Sequence, residues 1–178
     1  MKKLSYLLIL LLFSFCLSFS VYGLDMSNEV PKLIGYVNDF YGLLEKEQIH
    51  QLTTILKDLE KTVGSQMAIL IIDSTKGEPI EEYSLRVANA WGIGRKDYDD
   101  GVLITVAVKD RRLRIEVGFG LEKIIPNDLA KNIIEENIVP YFKKDEFYLG
   151  LFNGTKRIIK IIKENKNNTG ARKNLSLL

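Results

Sequence analysis

WGIGRKDYDDGVLITVAVKDRRLRIEVGFGLE, residues 91–122, carries the pattern of two adjacent β-strands flanked by glycine-containing loops. Residues 101–108 (GVLITVAV) form an unbroken apolar run, which is typical of a strand buried on both faces. Residues 112–117 (RLRIEV) alternate charged and apolar side chains, which indicates a strand with one buried and one solvated face. Only a short polar turn separates the two strands, so they are predicted to form a β-hairpin.

The rest of the chain alternates helical and strand patterns around this hairpin. Residues 45–63 have apolar side chains at helical spacing, and residues 66–73 (QMAILIID) form a second buried strand. Further helices are predicted over residues 80–91, with Trp91 buried against the sheet, from Pro126 to Pro140, and over residues 147–163. Strands separated by helices predict an α/β fold, namely a three-layer sandwich whose central mixed β-sheet, with its β-hairpin, is covered by helices on both faces.

The N-terminal residues 1–23 have the composition of an export signal. Lys2 and Lys3 precede a long apolar segment, and Val21 and Gly23 are small enough for a cleavage site after Gly23. The alternative is an uncleaved N-terminal anchor, because the apolar segment approaches the ~18 residues that a bilayer span needs. The protein is therefore expected to be exported, either periplasmic or extracellular, or anchored in the membrane by this segment. Residues 165–178 are polar and basic, and we predict a disordered tail.

Charge and cysteine content exclude several classes of function. Cleavage after Gly23 would reduce the 25 basic residues to 23, equal to the 23 acidic ones, and a neutral domain lacks the basic excess of nucleic-acid-binding proteins. Cys16 is the single cysteine and lies in the export segment, so a chain cleaved after Gly23 would have neither disulfides nor thiol chemistry.

The chain contains four short motifs, namely Asn38-Asp39-Phe40, Trp91-Gly92-Ile93-Gly94, Asp99-Asp100-Gly101-Val102 and residues 114–122 (RIEVGFGLE). Together they resemble the TPM domain, a family with thylakoid-lumen, photosystem-repair, receptor-modulating and bacterial envelope members. The resemblance implies one TPM domain over residues 32–164 with the same three-layer fold. It also implies a choice of roles, since some relatives are described as weak acid phosphatases and others as accessory factors. Asp100 stands where relatives often carry asparagine.

The acidic loop at Asp97, Asp99 and Asp100 is the best candidate for chemistry. Calcium and magnesium prefer several carboxylate oxygens on a turn-rich loop, and Gly101 lets the backbone bend closely. An EF-hand is excluded because the acidic spacing is wrong. Because the resemblance includes Asp39, we predict a divalent cation site formed by Asp39, Asp99 and Asp100. The alternative is a solvated loop whose aspartates only stabilise turns.

Other polar motifs have simpler interpretations. Asp73, Ser74 and Thr75 follow a buried strand, where polar side chains often face a ligand crevice, but a turn into the next helix is the favoured interpretation. His50 is the single histidine and has polar neighbours, so no histidine-based catalytic scheme is available.

Two functions and a purely structural role remain open from the sequence. The first is a non-enzymatic envelope module that binds a membrane-associated protein partner. In one form of this hypothesis, calcium or magnesium gates the binding. The second is a metal-assisted acid phosphatase acting on phosphomonoesters, in which the cation polarises a phosphoryl oxygen. Catalytic residues are not assigned, no nucleic-acid partner is expected, and membrane contact is expected only through an uncleaved N-terminus.

Overall fold

The computed structural model describes the backbone of residues 29–175 and the side chains of residues 29–165. The predicted export segment lies outside the described residues. Four strands form one sheet in the order β1-β2-β3-β4. The first three run parallel and β4 returns antiparallel to β3, so the predicted mixed sheet and hairpin are confirmed. The strands are β1 Val37–Asp39, β2 Gln66–Ile72, β3 Gly101–Ala107 and β4 Arg112–Val117.

Helices connect and follow the strands. They are α1 Lys46–Val63, α2 Ile80–Trp91, α3 Asn127–Ile133, α4 Val139–Phe142 and α5 Phe147–Leu175, with a π-helical turn at Ile134–Ile138. A capping box starts α1, because Glu45 and Gln48 each accept the other's backbone N–H. The helix ends at Gly64, whose φ of 85° is a left-handed conformation that glycine adopts readily.

The helices cover the sheet on both faces. Successive side chains of a strand point to opposite sides. Ile69 and Ile71 of β2 accordingly pack with α1 and α5 on one face, whereas Leu70 packs with Tyr83 and Val87 of α2 on the other. The predicted three-layer α/β sandwich is therefore confirmed.

The two parallel crossovers lie on opposite sides of the sheet. β1, β2 and β3 are consecutive neighbours, yet α1 connects the first pair across one face and α2 connects the second pair across the other. Two right-handed crossovers in this order would share a face, so one of them is left-handed, which is rare. As a result, the chain leaves β1 and β2 in opposite directions, and a crevice opens between the two exits.

The C-terminal helices depart from the predicted boundaries. Proline cannot donate a backbone hydrogen bond, and the third helix widens into the π-helical turn just before Pro140 rather than continuing to it. The helix predicted over residues 147–163 continues to Leu175, so its backbone is helical through most of the segment that the sequence predicted to be a disordered tail. Between residues 29 and 175, no helix has both the length and the apolar composition that a bilayer span requires.

Two sets of side chains near α2 differ in exposure from what their local patterns indicate. The charged residues of β4 are less exposed than predicted, and Trp91 is less buried than predicted. Arg114 and Glu116 form an ion pair at 3.0 Å and are half-buried, because α2 covers the face of β4 that was predicted to be solvated. Trp91 packs against the α2-side core but is only half-buried. Its indole Nε1–H donates to the carbonyl of Pro31 at 2.7 Å, which ties residues 29–35 to the end of α2.

Candidate functional site

A cleft opens at the carboxyl edge of the parallel strands, between the exits of β1 and β2. Its volume is about 370 Å³, and it combines apolar and polar side chains. The crevice outside the carboxyl ends of parallel strands, where successive connections diverge, is the usual ligand position in α/β sheets. This cleft is therefore the candidate functional site. It is lined by Glu29, Pro31, Phe40, Ile72, Asp73, Ser74, Lys76 and Tyr83.

The exit of β2 is held by the turn of the β-hairpin. Asp110 accepts the backbone N–H of Thr75 at 2.7 Å and the hydroxyl of Ser74 at 2.8 Å. These bonds, from the Thr75 backbone first and then from the Ser74 hydroxyl, hold the pKa of the Asp110 carboxyl below its usual range. Asp73 pairs with Lys109 at 3.2 Å, and that hydrogen bond lowers the pKa of Asp73. The polar wall of the cleft is thus fixed in position.

The exit of β1 is held by Asp39. One carboxylate oxygen accepts the N–H groups of Tyr41 and Gly42 at 3.2 and 2.8 Å, and the other accepts the N–H of Leu44 at 2.8 Å. Both carboxylate oxygens of Asp39 bind the backbone of this loop. The exposed rings of Phe40 and Tyr41 therefore lie on a backbone that hydrogen bonds hold in place. Phe40 lines the cleft directly.

Tyr83 provides a buried phenol beside the cleft. Tyr83 lies in the first turn of α2 and lines the cleft together with Asp73 at the exit of β2. Burial raises the pKa of the Tyr83 hydroxyl. The Arg86 guanidinium lies 5.1 Å from the ring centroid. At neutral pH Tyr83 is therefore protonated, and it can serve as a hydrogen-bond donor rather than as a base.

The acidic loop lies elsewhere, at the amino edge of the sheet. Asp100 is buried and accepts hydrogen bonds from the backbone N–H of Arg95 at 2.9 Å, from its side-chain Nε at 3.0 Å and from the Ser65 hydroxyl at 3.1 Å. Burial opposes the ionisation of Asp100, but the hydrogen bonds from Arg95 outweigh it and hold the pKa of the carboxyl below its usual range. Asp97 and Asp99 are exposed.

The glycines of the sequence motifs allow three loops to meet at this acidic loop. A Cβ on Gly101 would lie 2.0 Å from the carbonyl oxygen of Ile93, one on Gly118 would lie 2.2 Å from that of Asp99, and one on Gly120 would lie 1.8 Å from that of Tyr98. Real Cβ atoms cannot approach backbone so closely. The glycines of the motifs therefore allow a close backbone junction.

The structure does not bring the three predicted metal ligands together. Asp39 follows its strand, whereas Asp99 and Asp100 precede theirs, and the strands are parallel. Asp39 is level with Val106, six residues beyond Asp100, which corresponds to about 20 Å along the strand. Among the residues described, no group of three acidic, histidine or cysteine side chains is close enough to hold a metal ion. These carboxylates do not fit one shared cation.

Sequence reasoning missed Asp110 and the aromatic pair at the exit of β1. Asp110 acts on residues 35 positions away, a distance over which local patterns carry no information. The sequence identifies Asp73 and Ser74 as residues that end a strand, and it favours a turn at this position. The structure shows a turn here, and the same turn lines the cleft.

The chain matches the family model of the TPM domain over residues 37–161. This range covers most of the domain predicted from the motifs. A comparison with curated proteins finds no match.

Several solved structures have a similar fold, and three of them are compared with this chain below. An N-terminal domain from P. gingivalis is 27% identical, with a TM-score of 0.68 over 73% of this chain and 83% of that one. The BA42 protein of the psychrophile Bizionia argentinensis is 20% identical, with a TM-score of 0.61 over 71% of this chain and 86% of that one. The N-terminal domain of cg2496 from Corynebacterium glutamicum is 12% identical, with a TM-score of 0.58 over 74% and 83%. These likenesses agree with the three-layer fold.

Proposed function

This chain belongs to the TPM domain family, and from that premise we propose that it is an exported, non-enzymatic envelope module whose carboxyl-edge cleft binds a membrane-associated protein partner. The observation that carries the proposal is the braced aromatic pair, Phe40 and Tyr41, at the exit of β1. Exposed aromatic side chains on a rigid loop can bind a protein with little loss of conformational entropy.

The polar groups around the cleft support binding rather than catalysis. Asp39 caps its own loop, Asp110 holds Thr75, and Asp73 pairs with Lys109. Each carboxylate is thus engaged in positioning a wall of the cleft. A partner that inserts an apolar group against Phe40 would meet Tyr83 and Lys76 as polar contacts at its edge.

Partner capture with paired variants tests this function. Phe40→Ser combined with Tyr41→Ser should abolish co-purification of the partner from detergent-solubilised membranes of the native host. Phe119→Ser is the matched control, because this exposed aromatic lies at the opposite edge of the sheet. Equal recovery of the same protein with both variants would contradict a binding role for the cleft.

The phosphatase alternative is tested with a generic phosphomonoester. Since Asp39 is about 20 Å from Asp99 and Asp100 along the strand direction, one cation cannot join them during phosphoryl transfer. We expect no hydrolysis above the buffer rate in calcium, magnesium or chelator. Metal-dependent turnover that Asp39→Asn removes and Asp99→Asn retains would replace the binding proposal with an enzyme centred on the cleft.

The same two variants, Asp39→Asn and Asp99→Asn, test at which edge of the sheet a gating cation binds. At constant ionic strength, a bound divalent cation raises the thermal midpoint by mass action. A calcium response that Asp99→Asn removes would place the cation on the exposed acidic loop, and one that Asp39→Asn removes would place it at the cleft. Wild-type protein without any response in millimolar calcium or magnesium would exclude gating.

A further inference from the structure

A second cavity lies at the amino edge of the sheet, at the opposite end of β2 from the proposed cleft. Its volume is about 320 Å³, which is within the size range of small-molecule sites. The segment before β1, the start of β2 and the end of α2 contribute its walls, and the cleft uses none of its lining residues. Apolar and aromatic side chains predominate in these walls, among them Leu33, Tyr36, Met67, Trp91 and Ile93.

Glu60 of α1 is the one charged residue among the described residues that line this cavity. It is half-buried, and its two carboxylate oxygens are held by different partners. One oxygen accepts the Tyr36 hydroxyl, and the other accepts Nε2–H of Gln66 at 2.8 Å. A carboxylate can accept about four hydrogen bonds, so both oxygens keep acceptor capacity. The cavity therefore contains an anionic group that is fixed in position and open to a further donor.

The protein supplies no counterion for this carboxylate. Within residues 29–165, Glu60 forms no ion pair. Arg95 lies against Gly64, one helical turn beyond Glu60, but its Nε donates to Asp100 at 3.0 Å. Lys61 is exposed and projects about 100° around the helix from Glu60. A half-buried charge without a counterion is unfavourable, and a bound cation would relieve that cost.

The side-chain donors on the aromatic walls are already used. The Trp91 indole donates to the carbonyl of Pro31 at 2.7 Å, and the Tyr36 hydroxyl donates to Glu60. The polar capacity that remains beside these rings is that of an acceptor, and its charge is negative. A ligand with a carboxylate or phosphate would be repelled there, whereas a ligand that donates hydrogen bonds and carries a positive charge fits.

We propose that this cavity binds a small organic cation, namely an ammonium group carried on an apolar body. The ammonium group donates to the free lone pairs of the Glu60 carboxylate in a charge-assisted hydrogen bond. The aromatic rings of Tyr36 and Trp91 attract the same positive charge. The apolar body is removed from water against Leu33 and Ile93. This site is separate from the cleft, and its ligand differs in kind from a protein partner.

Titration of the full-length chain with phenethylammonium tests the charge preference. Phenethyl alcohol has nearly the same shape without the charge, and phenylpropionate carries the opposite charge. Trp91 is the single tryptophan of the chain and lines the cavity, so its emission reports occupancy directly. We expect a saturable change with the ammonium compound, binding of the alcohol that is roughly tenfold weaker, and no binding of the anion at the same concentrations.

Two variants separate the contribution of charge from that of apolar contact. Glu60→Gln keeps the length of the side chain and one acceptor oxygen, so it should weaken phenethylammonium roughly tenfold and change the alcohol by less than about twofold. Leu33→Ala trims an exposed wall of the cavity and should weaken both compounds by a similar factor. Glu47→Gln is the matched control and should bind as wild type does, because Glu47 is exposed in the first turn of α1, about 20 Å from Glu60 along the helix.

Calorimetric titration gives a second measurement of binding that does not depend on tryptophan emission. The comparison of the three compounds on wild type needs no variant, so it decides the charge preference even if Glu60→Gln does not fold. The proposal is overturned if wild type binds the ammonium compound and the alcohol equally, or if neither method detects binding at millimolar ammonium. It is also overturned if folded Glu60→Gln keeps wild-type affinity, or if Glu47→Gln loses as much affinity as Glu60→Gln.

Discussion

Replacing Asp100 by asparagine removes the charge from a carboxylate that receives hydrogen bonds from Arg95 and Ser65. The amide keeps the size of the side chain but has only one acceptor oxygen. Its NH₂ group would face either the Arg95 guanidinium or the Arg95 backbone N–H, and all of these are donors. A solvated aspartate in a turn would tolerate the same change, so this variant separates the two interpretations of the acidic loop.

The expected loss of stability follows from the burial of the Arg95–Asp100 ion pair. Breaking a buried ion pair costs about 3–5 kcal/mol, because the remaining charge loses its partner. Here the Asp100 side chain is 7% exposed and Arg95 is 36% exposed, so water can partly rehydrate the guanidinium. We therefore expect a loss of about 2–3 kcal/mol in the free energy of unfolding. For a chain of this size, that corresponds to about 4–12 °C in thermal midpoint.

Denaturant unfolding of wild type, Asp100→Asn and Asp99→Asn measures the effect. Asp99 is exposed with a φ of 46°, a conformation that asparagine tolerates, so its variant should stay within about 0.5 kcal/mol of wild type. A loss below about 1 kcal/mol for Asp100→Asn, or equal losses for both variants, would refute the role given to the Arg95 pair.

The pH dependence supplies a second check on Asp100. The pKa of its carboxyl is lowered in the folded state, so its stabilisation is present above the unfolded-state pKa and is lost as pH falls through the folded-state pKa. The difference between wild type and Asp100→Asn should therefore be full at neutral pH and shrink below about pH 4.

Three further outcomes follow from the structure. Gly120→Ala should destabilise the domain by about 3 kcal/mol or more in denaturant unfolding, because its Cβ would lie 1.8 Å from the Tyr98 carbonyl, whereas Gly35→Ala, with open space around it, should change little. Trp91→Ala should cost about 2–4 kcal/mol, from partial burial plus the lost indole hydrogen bond; a loss below about 1 kcal/mol would place the ring in solvent. Intact-mass analysis of the protein from its native host should find a chain that starts at Leu24, and a retained first segment would favour an anchor.

Local patterns predicted the layers of this fold because β2 and β3 are buried on both faces. Their continuous apolar runs differ clearly from the helical spacing of α1 and α2. The face of β4 that α2 covers was not predictable in the same way. Alternation shows that a strand has two different faces, but it does not show which helix will cover the charged one, and Arg114 was therefore predicted to be solvated.

The separation between Asp39 and Asp100 can be predicted from the order of residues along the chain, once their strands are taken to be parallel. Asp39 follows its strand and Asp100 precedes its own, and in a parallel arrangement such residues lie at opposite edges. A shared family motif does not show that its residues meet in one cleft, whereas the order of residues along parallel strands does show at which edge each one lies. The support that Asp110 gives to Thr75 depends instead on a long-range register, which only the folded structure defines.

The glycines at the loop junction limit which positions of this domain can change without changing the path of the chain. Gly101, Gly118 and Gly120 meet backbone and no reactive group, so they act as spacers that a diverging sequence cannot exchange while it keeps the same path of the chain. A sequence that keeps glycine at these three positions can keep this close meeting of the loops. Phe40 and Tyr41 lie at the opposite edge of the sheet, so the side chains of that edge, and with them its binding partner, can change while the glycine junction stays the same.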